Sequence, residues 1–434
     1  MPIFLNSAAP DFEARFVALL GAKREVSADV DAVVGAILED VRLHGDAALA
    51  EYSLRFDRLD LARHALAISA MEIESALAQC EPRALAALRL AHQRVEAFHK
   101  RQIPADVAFV DELGVELGWR WRAIEAVGLY CPGGLASYPS SVIMNVVPAK
   151  VAGCKRIAMV VPAPDGLINP LVLAAAHISG VSEIYRVGGA QAIAALAYGT
   201  ATIAPVAKIV GPGNAYVAAA KRRVFGRVGI DMIAGPSEVL VLADDSANAE
   251  FVAADLLAQA EHDEAAQALL ITDSAAFGEA VAAAVERQLA PLPRAMIAGA
   301  SWRDYGAIIV APSLREAIPL VDRLAPEHLE IIARDADALS ASVHNAGAIF
   351  LGSNTPEAIG DYVGGSNHVL PTARSARFSS GLGVMDFLKR TSLLKCDARA
   401  LAALGPAAIA LGEAEGLQAH ARSVALRLEA MSAP

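Results

Sequence analysis

Cysteine is scarce in this 434-residue chain, and its four cysteines (Cys80, Cys131, Cys154 and Cys396) are scattered. No two of them form a C-x-x-C pair, so the sequence predicts neither a disulfide framework nor a thiolate zinc site. Cysteine usage of this kind is typical of a reducing compartment. We therefore expect a cytoplasmic protein.

Basic clusters and membrane segments are missing as well. The net charge is -11, and an acidic chain without basic clusters argues against a nucleic-acid partner or an anionic membrane surface. The first residues form no basic n-region, so we expect no signal peptide. The longest uncharged run, residues 187–207, is broken by glycine and proline and predicts core segments instead of a membrane span.

Aromatic residues make up only 5% of the chain, whereas hydrophobic residues make up 55%, which is typical of a helix-rich α/β enzyme. Short apolar runs alternate with helical runs, and this alternation predicts βαβ units with helices on both faces of parallel sheets. The length suggests two or three domains. The predicted strands cover residues 126–130, 157–161, 183–187, 208–210, 239–242, 268–271, 306–310 and 348–351.

Glycine-rich turns follow three of these predicted strands, at residues 131–134, 188–191 and 211–214. Open α/β sheets bind ligands beyond the carboxyl ends of their strands, where glycines let backbone N–H groups approach phosphates. The turns therefore indicate a dinucleotide site. No G-x-G-x-x-G occurs there, so tight βα turns without a ligand remain the alternative.

Gln259 and His262 lie three residues apart on a predicted helix that begins near residue 247. Residues at this spacing share a helix face, so the amide oxygen and the imidazole can point at one metal ion. The alternative is a solvated acidic face, since Glu261, Asp263 and Glu264 are neighbours.

Other polar residues offer proton transfer and ligation. Glu327 and His328 are adjacent and supply two proton-transfer groups whose pKa values can be tuned near neutral pH. The alternative is a turn that begins at Pro326 and leaves Glu327 solvated. The glycine-rich segment 360–368 contains Asp361, a hard oxygen ligand, and His368, a substrate contact. Further candidates are the hydroxyl of Ser237 and, near the chain end, Glu415 and His420, whose alternative is an exposed acidic helix end.

Seven motifs of the chain resemble, in order and spacing, those of the histidinol dehydrogenase family. They cover residues 130–134, 188–192, 211–214, 234–238, 259–263, 325–330 and 361–368. The resemblance extends over nearly the whole chain. It implies a zinc enzyme that oxidises L-histidinol to L-histidine in two NAD-dependent steps through L-histidinaldehyde.

The resemblance also implies roles for individual residues. The catalytic pair would be Glu327 and His328, and the contacts to NAD would come from Tyr130, Gln191 and Asn214. The zinc ligands, which also contact substrate, would be Gln259, His262, Asp361 and His420. Further substrate contacts would be Ser237, His328, His368 and Glu415. The family forms homodimers with intertwined chains, which implies shared active sites reached by Glu415 and His420 of the other subunit.

The expected fold is α/β, with two doubly wound, incomplete Rossmann-like parallel-sheet domains. A helical N-terminal arm would cover residues 1–24 and a helical C-terminal tail residues 381–434, which would contribute to the dimer. Metal and catalytic residues would belong to a discontinuous domain of residues 25–129 plus 237–380. Residues 130–236 would form the NAD-binding domain.

Three other functions remain open at this stage. Cys131 or Cys154 could trap an aldehyde as a thiohemiacetal, as in cysteine-dependent aldehyde dehydrogenases. Alternatively, Glu327 could activate a metal-bound water in a zinc hydrolase whose glycine turns bind nothing. A non-catalytic binding module is the weakest option, because it leaves Glu327, His328 and the metal set without a role.

Overall fold

The computed structural model describes residues 2–21, 28–133, 138–233 and 235–432. Two motif residues, Gly134 and Ala234, lie outside these ranges, as does the predicted boundary between residues 24 and 25. The chain divides into two compact units, one of residues 1–102 and 125–386 and one of residues 103–124 and 387–434. Among the described residues, no helix has the length and apolar character needed to cross a membrane.

The elements are numbered in chain order. The strands are β1 Ile3–Asn6, β2 Val107–Val110, β3 Glu116–Ala123, β4 Ala126–Tyr130, β5 Arg156–Val161, β6 Glu183–Arg186, β7 Lys208–Val210, β8 Gly229–Ile230, β9 Glu238–Ala243, β10 Gln267–Thr272, β11 Ala307–Val310, β12 His328–Ile332, β13 Ala348–Leu351 and β14 Leu388–Lys395. The helices are α1 Phe12–Gly21, α2 Ala28–His44, α3 Asp46–Asp57, α4 Ala70–Gln79, α5 Pro82–His99, α6 Pro139–Ala152, α7 Pro170–Ser179, α8 Gly189–Tyr198, α9 Ala215–Val224, α10 Ala249–Ala260, α11 Ala275–Leu289, α12 Ala295–Tyr305, α13 Leu314–Leu324, α14 Ala336–Ser340, α15 Glu357–Tyr362, α16 Ala398–Ala414 and α17 Gln418–Ser432. Short 3₁₀ turns cover Lys100–Gln102, Pro164–Gly166, Ser375–Arg377 and Val384–Phe387.

The first unit contains a six-stranded sheet in the order β1-β11-β10-β9-β12-β13, and its neighbouring strands are parallel. The chain runs outward from β9 through β10 to β11, then crosses to β12 and β13 on the other side. Strands β9 and β10 are buried along their whole length. Such burial is expected for central strands of a sheet covered on both faces, and it explains why these segments read as continuous apolar runs.

The same unit contains a five-stranded parallel sheet in the order β6-β5-β4-β7-β8. The chain again runs outward from the central strand β4, through β5 to β6, and returns to β7 on its other side. The strand order therefore reverses between β4 and β7, which creates a crevice at their carboxyl ends. These two sheets confirm the predicted doubly wound α/β fold.

Side-chain caps explain where many of the predicted helices begin. Asn169, Asn214 and Asn248 accept hydrogen bonds from backbone N–H groups in the first turns of α7, α9 and α10. Ser274 and Ser313 do the same for α11 and α13. An amide or hydroxyl oxygen at this position satisfies donors that have no partner within the helix.

Three strands lie where the sequence predicted helix or turn. The N-terminal arm contains β1 before its helix, and β1 pairs with the edge strand β11. The segment read as a turn at Pro326 leads into β12, whose first residue is His328. The tail contains β14 before its two helices, and this exposed strand shows no apolar run of the buried kind.

The second unit consists of an antiparallel sheet in the order β14-β3-β2 and of the helices α16 and α17. Its buried helical residues are small: Ala400, Gly405, Gly412 and Ala421. Large apolar side chains remain exposed, among them Val110, Leu394 and Leu411 with 64%, 71% and 64% of their surface accessible. This unit by itself therefore buries little apolar surface.

Candidate active site

The predicted catalytic pair lies at the amino end of the six-stranded sheet, opposite to the carboxyl ends where open α/β sheets usually bind ligands. His328 begins β12, and the neighbouring strand β9 begins at Glu238. Glu327 and His328 are both buried. A cavity of about 460 Å³ lies beside this edge and is lined by His262, Asp361 and other residues, a volume within the range of small-molecule sites.

Glu327 is held by the backbone of β9. Its Oε2 atom accepts a hydrogen bond of 2.9 Å from the N–H group of Glu238. Burial raises the pKa of Glu327 to about 7, against the opposing effect of His328. A carboxyl group with such a pKa can both bind and release a proton near neutral pH.

Of the two ring nitrogens of His328, only Nδ1 forms a hydrogen bond with a described residue. Nδ1 lies 3.2 Å from the carbonyl oxygen of Glu238, which can only accept, so Nδ1 carries a hydrogen. The neutral ring therefore has its lone pair on Nε2, which is buried and forms no hydrogen bond with a described residue. Burial alone would lower the pKa of His328, but the carboxylates of Glu357, Glu327 and Asp361 outweigh it and raise the pKa well above its ordinary value.

Gln259 is the most informative of the predicted metal ligands. Its side chain is buried near the end of α10, and neither Oε1 nor Nε2 has a hydrogen-bond partner among the described residues. Burying an unpaired amide costs free energy, so such a group requires a partner of another kind. A metal ion is one such partner.

His262 lies two residues after the end of α10, and its backbone N–H group donates to the backbone carbonyl oxygen of Gln259 over 3.2 Å. The side chain lines the cavity. Desolvation lowers the pKa of His262, although Asp361 opposes this effect. A lowered pKa favours the neutral imidazole, which is the form that binds metal ions.

Asp361 is the penultimate residue of the short helix α15, and its Oδ1 atom lies 3.6 Å from Nε2 of His328. Burial alone would raise its pKa, but the attraction of the neighbouring His328 ring outweighs this effect, so the pKa of Asp361 is lowered. Ligand atoms of His328, Glu357 and Asp361 lie within 4.8 Å of one another, close enough to share a metal ion.

His368 lies in the wall of the same cavity. Its Nδ1 atom is 2.9 Å from the carbonyl oxygen of Asp361, and its Nε2 atom is 3.4 Å from the hydroxyl of Ser141. Burial lowers the pKa of His368, against the effect of Asp361. The neutral ring therefore donates from Nδ1 and can accept a hydrogen bond at Nε2.

Three acids near the pair, of which Glu357 and Glu330 are buried, were not predicted from the sequence. Glu357 lies 3.5 Å from Nδ1 of His328, and burial raises its pKa to about 8. Its N–H group donates to Oε1 of Glu330 over 2.6 Å. Asp255 neighbours Glu330, and burial raises the pKa of Asp255 to about 6. One signal was present in the sequence, since Glu330 lies between the apolar residues Leu329 and Ile331.

The predicted cofactor contacts lie near the crevice of the five-stranded sheet. Tyr130 ends β4, and its hydroxyl accepts a hydrogen bond of 3.1 Å from the N–H group of Gly189. Gln191 is buried in the first turn of α8. The Oδ1 atom of Asn214 caps α9, so its carbonyl is engaged while its amide N–H groups remain for other partners.

The sequence model described as histidinol dehydrogenase matches residues 21–428. The chain is 67% identical to the histidinol dehydrogenase of Bradyrhizobium diazoefficiens over 99% of both chains. It belongs to the histidinol dehydrogenase family. Identity to the Rhizobium meliloti enzyme of that name is 65%, again over 99% of both chains. The crystal structure of histidinol dehydrogenase from Elizabethkingia anophelis matches with a TM-score of 0.95 and 36% identity, covering 100% of this chain and 99% of that one.

Three predicted site residues of this histidinol dehydrogenase family member remain, one in the first unit and two in the second. Ser237 directly precedes β9 and is partly buried. Glu415 and His420 belong to the second unit and are exposed, at the end of α16 and in α17 respectively. The structure thus brings His262, Asp361 and His368 together with the predicted catalytic pair in the first unit, and Gln259 lies one helical turn before His262.

The thiol alternative finds no support in the geometry. Cys131 and Cys154 are buried, and neither lines the cavity. Burial raises the pKa of Cys131 to about 12, which disfavours the thiolate that a nucleophile requires.

Proposed function

We propose that this protein oxidises L-histidinol to L-histidine through L-histidinaldehyde, using zinc and NAD. The observation that carries the proposal is the buried Glu327–His328 pair beside a cavity lined by His262, Asp361 and His368. Relatives that bear the name histidinol dehydrogenase match the full length of the chain. Ser237, His368 and Glu415 would contact the substrate.

The residues at this site fit a metal ion. Gln259 offers an unpaired buried amide oxygen, His262 a neutral imidazole and Asp361 a carboxylate with a lowered pKa. With His420 they would form the ligand set, an oxygen- and imidazole-rich set of the kind zinc accepts. Zinc, when bound, supplies a positive charge that binds the imidazole and amine of histidinol.

The carboxyl edge of the five-stranded sheet fits a dinucleotide, because β4 and β7 meet there at the strand-order reversal. Tyr130, Gln191 and Asn214 would contact NAD, which accepts the hydride in each oxidation. We further propose that residues 130–236 form the cofactor domain. Residues 25–129 plus 237–380 would then form the domain that carries the metal and catalytic groups.

In the first oxidation, the hydroxyl proton of histidinol must leave as the hydride leaves the carbinol carbon. Nε2 of His328 would accept that proton, because Nδ1 is fixed by the carbonyl oxygen of Glu238. The carboxylates of Glu357, Glu327 and Asp361, which lie 3.5, 3.8 and 3.6 Å from the ring nitrogens, would stabilise the resulting imidazolium. The product of this step is the aldehyde.

In the second oxidation, water must add to the aldehyde before another hydride can leave. Glu327 would take a proton from this water, because its pKa of about 7 makes the carboxylate available at neutral pH. The hydrated aldehyde then loses hydride and a proton to give the carboxylic acid. Two steps and two bases thus account for a four-electron oxidation.

We also propose a cytoplasmic homodimer with intertwined chains, in which Glu415 and His420 complete the site of the other subunit. The exposed apolar side chains of the second unit support this arrangement, because a surface of this kind is usually covered by a partner.

The rival function is hydrolysis at the same metal, without a cofactor. Adding L-histidinol and NAD to the zinc-loaded protein should produce NADH, and titration with NADH should change its fluorescence. A protein that neither binds NADH nor forms it would be assigned to the hydrolase class. Cys131→Ala and Cys154→Ala should both retain activity. Loss of activity in either variant would support the mechanism with a cysteine nucleophile.

A further inference from the structure

A buried ion pair lies at the carboxyl edge of the five-stranded sheet. Lys221 belongs to the last turn of α9, and Asp231 directly follows β8. Their side chains are ion-paired and expose only 3% and 1% of their surface. Neither residue belongs to the predicted site, and the mechanism above does not use them.

Both members of the pair bind the backbone of a single residue, Gly211. Nζ of Lys221 donates to the carbonyl oxygen of Gly211 over 3.0 Å. The N–H group of Gly211 donates to Oδ2 of Asp231 over 2.8 Å. The other carboxylate oxygen of Asp231 accepts from the N–H group of Met232 over 2.7 Å. The pair therefore holds both polar groups of Gly211.

Gly211 requires such support because of its conformation. It directly follows β7 with φ +107°, a region that only glycine adopts without strain. A Cβ atom at this position would overlap the carbonyl oxygen of Tyr130. The side-chain hydroxyl of Tyr130 in turn accepts the N–H group of Gly189. The turns after β4, β6 and β7 are thus linked through these residues.

The turn that begins at Gly211 ends at the amino terminus of α9. A Cβ atom at Gly213 would overlap the side chain of Val217, so the turn packs closely on the helix. Asn214 then caps α9. Displacing Gly211 would therefore move the segment that the cofactor is expected to contact.

From this geometry we infer that Lys221 and Asp231 are positioning residues that hold the 211–214 turn in the shape required for NAD. The inference rests on the proposed cofactor site. A buried ion pair often contributes little to stability compared with apolar residues of similar size. Positioning of Gly211 is the role that accounts for both of its hydrogen bonds.

The test removes both charges together, because removing one would leave the other buried without a partner. In the zinc-loaded Lys221→Met/Asp231→Leu protein, the Kd of NADH from fluorescence titration and the KM of NAD should rise about tenfold or more. The KM of histidinol, the zinc content and kcat at saturating NAD should stay close to those of the unaltered protein.

A matched control exists at the opposite edge of the same sheet. Arg156 and Glu183 form an ion pair of 2.8 Å at the amino ends of β5 and β6. Arg156→Met/Glu183→Gln should leave the Kd of NADH unchanged. An equal loss of NADH affinity in both double variants would overturn the inference, because the loss would then reflect a general loosening of the sheet.

Unchanged NADH affinity in the folded Lys221→Met/Asp231→Leu protein would also overturn it. If that variant fails to fold, Lys221→Met/Asp231→Asn decides, since it removes both charges and the hydrogen bond to the carbonyl oxygen of Gly211 but keeps an oxygen for the N–H group of Gly211. We expect weaker NADH binding there too, and unchanged binding would refute the positioning role. Failure of the unaltered protein to bind NADH would instead refute the cofactor site, and the inference with it.

Discussion

At the scale of single residues, the side chain of Gln259 combines burial with the absence of a hydrogen-bond partner in the described part of the chain. An unpaired buried amide lowers stability by about 1–3 kcal/mol. Native proteins rarely keep such a group unless it has another function. Ligation of a metal ion would explain why it is retained.

We predict opposite effects of Gln259→Leu with and without zinc. In chelator-treated protein, this substitution should raise the free energy of unfolding by about 1–3 kcal/mol, because it removes the unpaired amide. In zinc-loaded protein, the variant should instead be less stable than the unaltered protein, because it binds the metal at least about tenfold more weakly. Thermal unfolding with and without chelator, together with zinc titration, measures both effects.

Gln267→Leu is the matched control for this prediction. Gln267 is equally buried, but its Nε2 atom donates to the carbonyl oxygen of Tyr305 over 3.4 Å. Its replacement should lower stability whether or not zinc is present. A Gln259→Leu protein with unchanged zinc affinity, or with lower stability after chelation, would exclude the ligand role.

Glu327 should act mainly in the second oxidation. Glu327→Gln retains the acceptor for the N–H group of Glu238 but cannot take a proton from water. Oxidation of histidinaldehyde should fall by about 10²–10⁴-fold, while oxidation of histidinol to the aldehyde changes far less. Single-turnover rates measured separately with the two substrates check this division.

The pH dependence gives an independent test of the same role. Because the pKa of Glu327 is raised to about 7 and its ionised form is the base, the rate of the second step should increase as pH rises through that value. Glu327→Gln should abolish this increase. Equal losses in both steps, or an unchanged pH profile, would contradict the assignment.

The residues with distinctive chemistry could be predicted from the sequence. The acids that contact them could not, because only the fold brings those acids close. Glu327, His328 and Asp361 stood out because each accompanies another reactive group within a short segment. Glu357 and Asp255 belong to distant segments, and only folding brings them to Glu330 and His328. No spacing rule could reveal these contacts.

At the scale of elements, the short helix α15 depends on a neighbouring strand for its start. Pro356 at its N-cap forms no side-chain cap, and Oε1 of Glu330 instead accepts the N–H group of Glu357. Burial and the nearby Asp255 raise the pKa of Glu330 well above its ordinary value, which favours the uncharged carboxyl group. The cap orients the helix that carries Asp361.

We predict that Glu330→Gln is tolerated and Glu330→Ala is not. Glutamine mimics the protonated acid, keeps the acceptor for Glu357 and can still donate to Asp255. Alanine leaves the N–H group of Glu357 unpaired, which should cost about 1–3 kcal/mol of stability and weaken zinc binding. Denaturant unfolding and zinc titration measure both, and equal zinc affinities in the two variants would rule out the positioning role.

The elements themselves were predicted where the pattern was regular. Buried parallel strands such as β4 and β9 show continuous apolar runs, and α11 and α13 show helical periodicity with a serine cap. The antiparallel strand β14 is mostly exposed and lacks an apolar pattern. Strand β12 begins with the polar residue His328 and contains Glu330, so its sequence does not show a continuous apolar run.

At the scale of the whole molecule, the proposed dimer would share its active sites. His262→Ala and His420→Ala chains should each be inactive alone. In a mixed dimer, one of the two sites would receive both intact residues, so activity should return to about half of the unaltered level. Activity assays on purified heterodimers measure this. Inactive heterodimers would show that each site uses a single chain.

The central claim is a zinc-dependent oxidation that transfers two hydrides from one substrate molecule. The most direct test supplies limiting L-histidinol and excess NAD to the zinc-loaded protein and follows NADH absorbance to completion. We expect two NADH per histidinol, no NADH after chelation, and recovery of NADH formation when zinc is restored. One NADH per histidinol would contradict the water-adding second step, and none would contradict the dehydrogenase itself.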